Sequence, residues 1–100
     1  MKLKNKVTIK WDNGTTRELI GETIKVDNFP YMLVVHEATE AWEKDMLKVS
    51  EKSTGLGMFT IKNKKIKDVK VEDIVQGVSD FLSKYTLKEI QEKLEMTEKI

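Results

Sequence analysis

The sequence predicts an α+β fold, an antiparallel sheet of about four to six strands followed by one or two C-terminal helices packed on one of its faces. Three observations carry that expectation. Apolar residues alternate with polar ones near the N-terminus, turn-forming residues divide the first part of the chain into short pieces, and after about residue 72 the apolar spacing changes from strand-like to helical.

The first strand is read from parity. Leu3, Val7, Ile9 and Trp11 share one side, while Lys2, Lys4, Lys6, Thr8 and Lys10 take the other. Asp12-Asn13-Gly14 follows, and an Asn-Gly step favours the positive φ angles of a tight hairpin turn. The return strand runs from Thr15 to Ile20 and on past Gly21, the mark of a bulge, to Ile24 and Val26. Asp27-Asn28-Phe29-Pro30 is turn chemistry. Tyr31 to His36 is the most β-prone run in the chain and is expected to be a central strand buried on both faces.

Residues 37–53 admit two readings. Ala38, Ala41, Trp42, Met46 and Val49 fall at helical spacing. Alternatively a loop runs to Asp45, and Leu47 and Val49 then alternate with Lys48 and Ser50 in a strand that turns at Ser53-Thr54-Gly55 and returns through Met58 to Ile61. The loop and hairpin are favoured.

The C-terminal third is helical. Ile74, Val75, Val78, Phe81, Leu82 and Tyr85 trace one stripe, with Asp73, Gln76, Asp80 and Lys84 off it. Gly77 costs such a helix roughly 1 kcal/mol relative to alanine, so close packing against the sheet is expected there. Thr86-Leu87-Lys88-Glu89 is a capping box, with Tyr85 and Ile90 spaced for a hydrophobic staple. A second helix therefore starts at Leu87, buries Leu87, Ile90 and Leu94, and frays after Met96. One hundred residues suit one domain, mainly β over 1–71 and helical over 72–98.

Composition narrows the function. With no cysteine, disulfides, thiol catalysis and cysteine-based zinc sites are excluded. The longest apolar run, Tyr31 to Val35, is far short of the roughly 20 residues that span a bilayer. The basic start lacks the apolar stretch of a signal peptide, so a cytoplasmic protein with no membrane partner is expected. His36, Glu37 and Glu40 superficially resemble a zinc-protease helix, but that motif needs a second histidine where Glu40 stands. Thr54-Gly55-Leu56-Gly57-Met58 lacks the third glycine and the following helix of a phosphate cradle. No Gly-x-Ser-x-Gly elbow surrounds Ser50, Ser53, Ser79 or Ser83, and the lone histidine leaves one natural general base. The expectation is a non-enzyme with no catalytic residues, no metal and no cofactor.

Binding remains. The net charge of +1 points to no particular partner, but the lysines are clustered. Lys2, Lys4, Lys6 and Lys10 on one side of the first strand, with Lys62, Lys64, Lys65 and Lys67 downstream, form a candidate nucleic-acid face that acts through phosphate charge. Single-strand binders interleave aromatics for stacking, whereas Trp11 and Phe59 are expected to point to the core. Lysine on an edge strand also guards against aggregation. The segment from Tyr85 to Ile100 resembles the opening of a helix-turn-helix, but Gln91 and Glu95 occupy the small-residue and turn-glycine places, and too little chain follows Met96 for a recognition helix. The leading expectation is a small binding protein that docks on another protein, a second copy included. Its C-terminal helix and a free sheet edge would serve, with Trp42, Tyr85, Leu87, Ile90 and Leu94 as candidate contacts. A nucleic-acid-binding module using the lysine face is the alternative.

The order of features from Pro30 to Tyr85 supports the accessory reading. A β-rich run from Tyr31 to His36 is followed by Val49-Ser50-Glu51-Lys52-Ser53-Thr54-Gly55-Leu56, a lysine-rich piece and an amphipathic helix. This order resembles the small sheet-then-helix proteins of unknown function encoded by phages and mobile elements of lysine-rich, low-GC bacteria. The resemblance implies an accessory or host-directed protein and assigns no residue a role.

Overall fold

The computed structural model describes residues 1–10, 15–27, 29–37 and 45–98. Its architecture is the α+β arrangement that the sequence predicts. Five strands, β1 (Asn5–Lys10), β2 (Thr16–Ile24), β3 (Leu33–Glu37), β4 (Leu47–Glu51) and β5 (Gly57–Ile61), form one antiparallel sheet in chain order. Two helices follow, α1 (Val71–Lys84) and α2 (Leu87–Glu98). The Asn13-Gly14 turn and the helical alternative around Trp42 lie outside the described residues, but β4 and β5 form the hairpin of the favoured reading.

β3 is the central strand, and Leu33, Val34, Val35 and His36 are all buried. Because successive side chains point to opposite faces, the strand serves two cores. Leu33 and Val35 join Leu47, Val49 and Ile61 beneath the helical residues Ile74, Val78, Ile90 and Leu94. Val34 faces the other way and packs with Val7, Ile9 and Leu19 of the first hairpin.

Val7 and Ile9 belong to β1, which is not a neighbour of β3 in the sheet, so the hairpin must curl over to reach Val34. Gly21 allows it. A Cβ at that position would lie 2.3 Å from the Val35 carbonyl oxygen and 3.1 Å from both His36 Cβ and a Val7 methyl group. The predicted bulge at Gly21 is therefore corrected: the register runs unbroken from Asn5↔Gly21 to Gly21↔His36, and glycine is needed for close approach. The bulge falls instead where Val49↔Phe59 gives way to Ser50↔Gly57, which leaves Met58 as the extra residue of β5.

Three further details differ from the sequence reading. The first strand begins at Asn5 rather than among the earlier lysines. Residues 1–3 instead lie against the 3-10 turn Ile66–Asp68, with the Met1 α-amino group donating to the carbonyls of Ile66 (2.7 Å), Lys67 (3.1 Å) and Val69 (2.8 Å). Leu3 consequently packs with the helix-side core, although it shares its parity with Val7 and Ile9. Phe29, read as part of a turn, is buried in that core edge-on to Tyr31.

The helices are held at their ends. The Asp73 carboxylate accepts the Lys70 backbone N–H at 2.8 Å, one of the orphan donors at the start of α1. At α2 the capping box is present, with Glu89 N–H donating to Thr86 Oγ1 at 3.1 Å and Thr86 N–H donating to Glu89 Oε1 at 3.4 Å. Gly77 lies where close packing was expected, since a Cβ there would meet the Phe59 ring at 2.4 Å.

Candidate functional site

A groove of about 500 Å³ lies between β5, an outer strand of the sheet, and the first helix. Its wall on the sheet side comprises Met58 to Ile61 of β5 and then Lys62 and Asn63, which follow the strand. Adjacent residues of a strand point to opposite faces. Phe59, Thr60 and Ile61 are consecutive in the regular part of β5 and still line one groove, as they can where the groove runs along the backbone edge. That edge is open, since β5 pairs only with β4 among the described residues.

The helix wall runs from Asp73 to Tyr85. Gly77 sets its depth, because the absent side chain lets the α1 backbone settle onto Phe59. An aromatic row continues from that contact, with Phe59 and Phe81 centroids 6.3 Å apart and Phe81 and Tyr85 centroids 5.0 Å apart. At the other end Lys64 Nζ donates to both Asp73 oxygens, at 3.1 and 3.2 Å. The Lys70 N–H and this ammonium hold the Asp73 carboxyl below its ordinary pKa. Midway, Asp80 Oδ1 accepts from Gln76 Nε2 at 3.0 Å. The 64–73 contact at one end and the 59–77 contact further along show that α1 runs antiparallel to β5.

The predicted lysine face divides into parts. Lys6 lies 3.4 Å from Glu18 on the solvated side of the first hairpin, Lys4 is exposed, and Lys10 closes β1 opposite Thr16. Lys62 lines the β5 groove and Lys64 is bound to Asp73. Lys2, Lys65 and Lys67 do come together, because the Met1 anchor lays the N-terminal residues against the 3-10 turn. They line a hollow of about 530 Å³ with Ile20, and Glu37 and Asp45 share its wall.

The predicted protein-contact residues divide too. Tyr85 and Leu87 are exposed, which corrects the expectation that Leu87 is buried. Ile90 and Leu94 are 4% and 5% exposed and belong to the core, so they present no surface to a partner. α2 thus turns its two best apolar residues inward. Trp42 lies outside the described residues.

Two buried polar groups escaped the sequence reading. The His36 Nδ1 lies 2.9 Å from the Glu37 carbonyl, which can only accept, so Nδ1 carries the proton of the neutral ring. Nε2 then accepts from the Ser50 hydroxyl at 3.0 Å. Burial, and then the nearby Lys48 ammonium, lower the imidazole pKa against the opposing bond to Glu37. The pair has the atoms of an activated hydroxyl, but both residues are only 3% exposed, and what it does is brace β3 against β4. Glu51 is likewise buried, and its carboxylate accepts from the backbone N–H and the hydroxyl of both Ser53 and Thr54 at 2.6–3.0 Å. Serine and threonine placed two and three residues after an acid at a strand end are the sequence signal for such a turn.

Among the described residues, no three histidine, aspartate or glutamate side chains group as metal ligands, and no helix is long and apolar enough to cross a membrane. Comparison with family models, curated proteins and solved structures finds no match to this chain.

Proposed function

We propose that this protein is a non-catalytic docking module that accepts an extended segment of a partner protein along the open edge of β5, beside α1. The carrying observation is that consecutive residues of β5, Met58 to Ile61, line one groove together with α1, and β5 has a strand neighbour on one side among the described residues. An unpaired strand edge offers backbone donors and acceptors to a second strand, and a flanking helix offers pockets for its alternate side chains. Phe59, Phe81 and Tyr85 supply the apolar contact that backbone pairing alone lacks.

Selection of random peptides displayed on phage against the immobilised protein tests this reading. Enriched peptides are expected to shift backbone amide resonances of residues 58–63 and 73–85. Failure to enrich any sequence, or shifts confined to other surfaces, would overturn it.

The convergence of Lys2, Lys65 and Lys67 supports a second reading, binding of a nucleic-acid backbone. Glu37 and Asp45 in the same hollow oppose it. Oligonucleotide binding that weakens steeply with salt and is lost in the Lys65→Glu, Lys67→Glu variant would favour this second reading over the first.

A further inference from the structure

We infer that the β5 groove selects an acidic extended segment, one with a carboxylate near each end and an apolar residue at its centre. The inference rests on the docking reading above and specifies the partner's chemistry.

Charge placement is the argument. Asp73 is already matched by Lys64, so the charges left facing a ligand are Lys62, Asp80 and Lys84. Neither Lys62 nor Lys84 has a carboxylate partner among the described residues, and they stand at opposite ends of the groove. Since α1 runs antiparallel to β5, Lys62 lies three strand residues from the Phe59–Gly77 contact, about 10 Å one way. Lys84 lies seven helical residues the other way, also about 10 Å. A span of about 20 Å corresponds to six residues of extended chain. The bulge at Met58 leaves Phe59 to Ile61 as the regular edge for pairing, and this puts the middle of the ligand over the aromatic row. Asp80 lies between the lysines on the helix wall and disfavours a third acid there.

The probe is a capped heptapeptide with glutamate at its second and sixth positions, valine at its fourth and threonine elsewhere, so that all three side chains share one face and the long lysine and glutamate side chains cover the rest of the span. Controls carry glutamine or lysine at the second and sixth positions. Amide shifts in the full-length protein report binding at low and moderate salt. The acidic peptide is expected to bind about three- to tenfold more tightly than the glutamine form, as two exposed ion pairs would give, with the advantage fading as salt rises. In the Lys62→Glu, Lys84→Glu variant the order should reverse in favour of the lysine peptide. If all three peptides shift residues 58–63 and 73–85 with equal affinity, the charge rule falls and the docking reading stands. If none shifts those residues while peptides from the unbiased selection do, the acidic pattern is wrong. If neither set shifts them, both readings fall.

Discussion

Single residues set how this protein responds to acid and to small changes in its turns. His36 is buried with both ring nitrogens engaged, and its folded pKa lies below the ordinary 6.5. The unfolded chain therefore binds the proton more readily than the folded one. Stability is full above pH ~6.5 and is lost as pH falls from there toward the lowered value, by at most about 1.4 kcal/mol per pH unit. Urea midpoints between pH 7.5 and 5.5 should decline for the natural protein and decline less for His36→Gln. Equal slopes in the two proteins would refute the assignment. Glu51 is a different case, since four donors converge on one carboxylate. Glu51→Gln replaces an acceptor by a donor against that set and should cost about 1–3 kcal/mol in denaturant unfolding.

Elements draw on those residues unequally. α2 has a regular cap and two buried contacts, Ile90 and Leu94, while its other residues as far as Met96 are exposed. Its attachment should therefore be sensitive to the cap. Thr86→Ala is expected to cost about 1 kcal/mol, and a double-mutant cycle with Glu89→Ala should show strong coupling, because each side chain serves the other's backbone. Additive effects would mean that the box carries no joint energy. β5 is held differently. It has one strand neighbour and a helix laid on Phe59, and its bulge at Met58 shortens the regular edge. A short edge of this kind resists indiscriminate pairing yet leaves Phe59 to Ile61 open to a strand that also satisfies the α1 wall.

At the scale of the molecule, the sheet is a curled layer with a core on each side of β3, and Gly21 is the point that allows the curl. Gly21→Ala should cost about 3 kcal/mol or more, because the new methyl group meets the Val35 carbonyl oxygen and backbone cannot rotate aside as a side chain can. Thermal unfolding checks this, and a loss under 1 kcal/mol would show that the hairpin can shift without penalty. The same curl accompanies the docking of Met1 on the carbonyls beyond β5, which gathers Lys2, Lys65 and Lys67 while Lys6 stays with Glu18 and Lys64 with Asp73.

The sequence by itself determined the features that depend on neighbours along the chain. Period-two alternation marked the first strand, the Ser53-Thr54-Gly55 turn placed the second hairpin, and the change of period placed α1. Thr86 and Glu89 placed the start of α2, and an isolated glycine in an apolar helix stripe marked the contact with the sheet. Only the tertiary structure decided the features that depend on pairs distant in sequence. Ile90 and Leu94 read equally well as a partner's surface or as core, and packing beneath the sheet made them core. Local pattern left open whether the eight candidate lysines share one surface, and the paths of residues 1–4 and 62–67 split them. The His36–Ser50 bond and the groove between β5 and α1 arise from strand register and helix direction. Local pattern shows which face of an element is apolar, but what covers that face is settled by the packing of the whole chain, because burial is a property of the assembled layers.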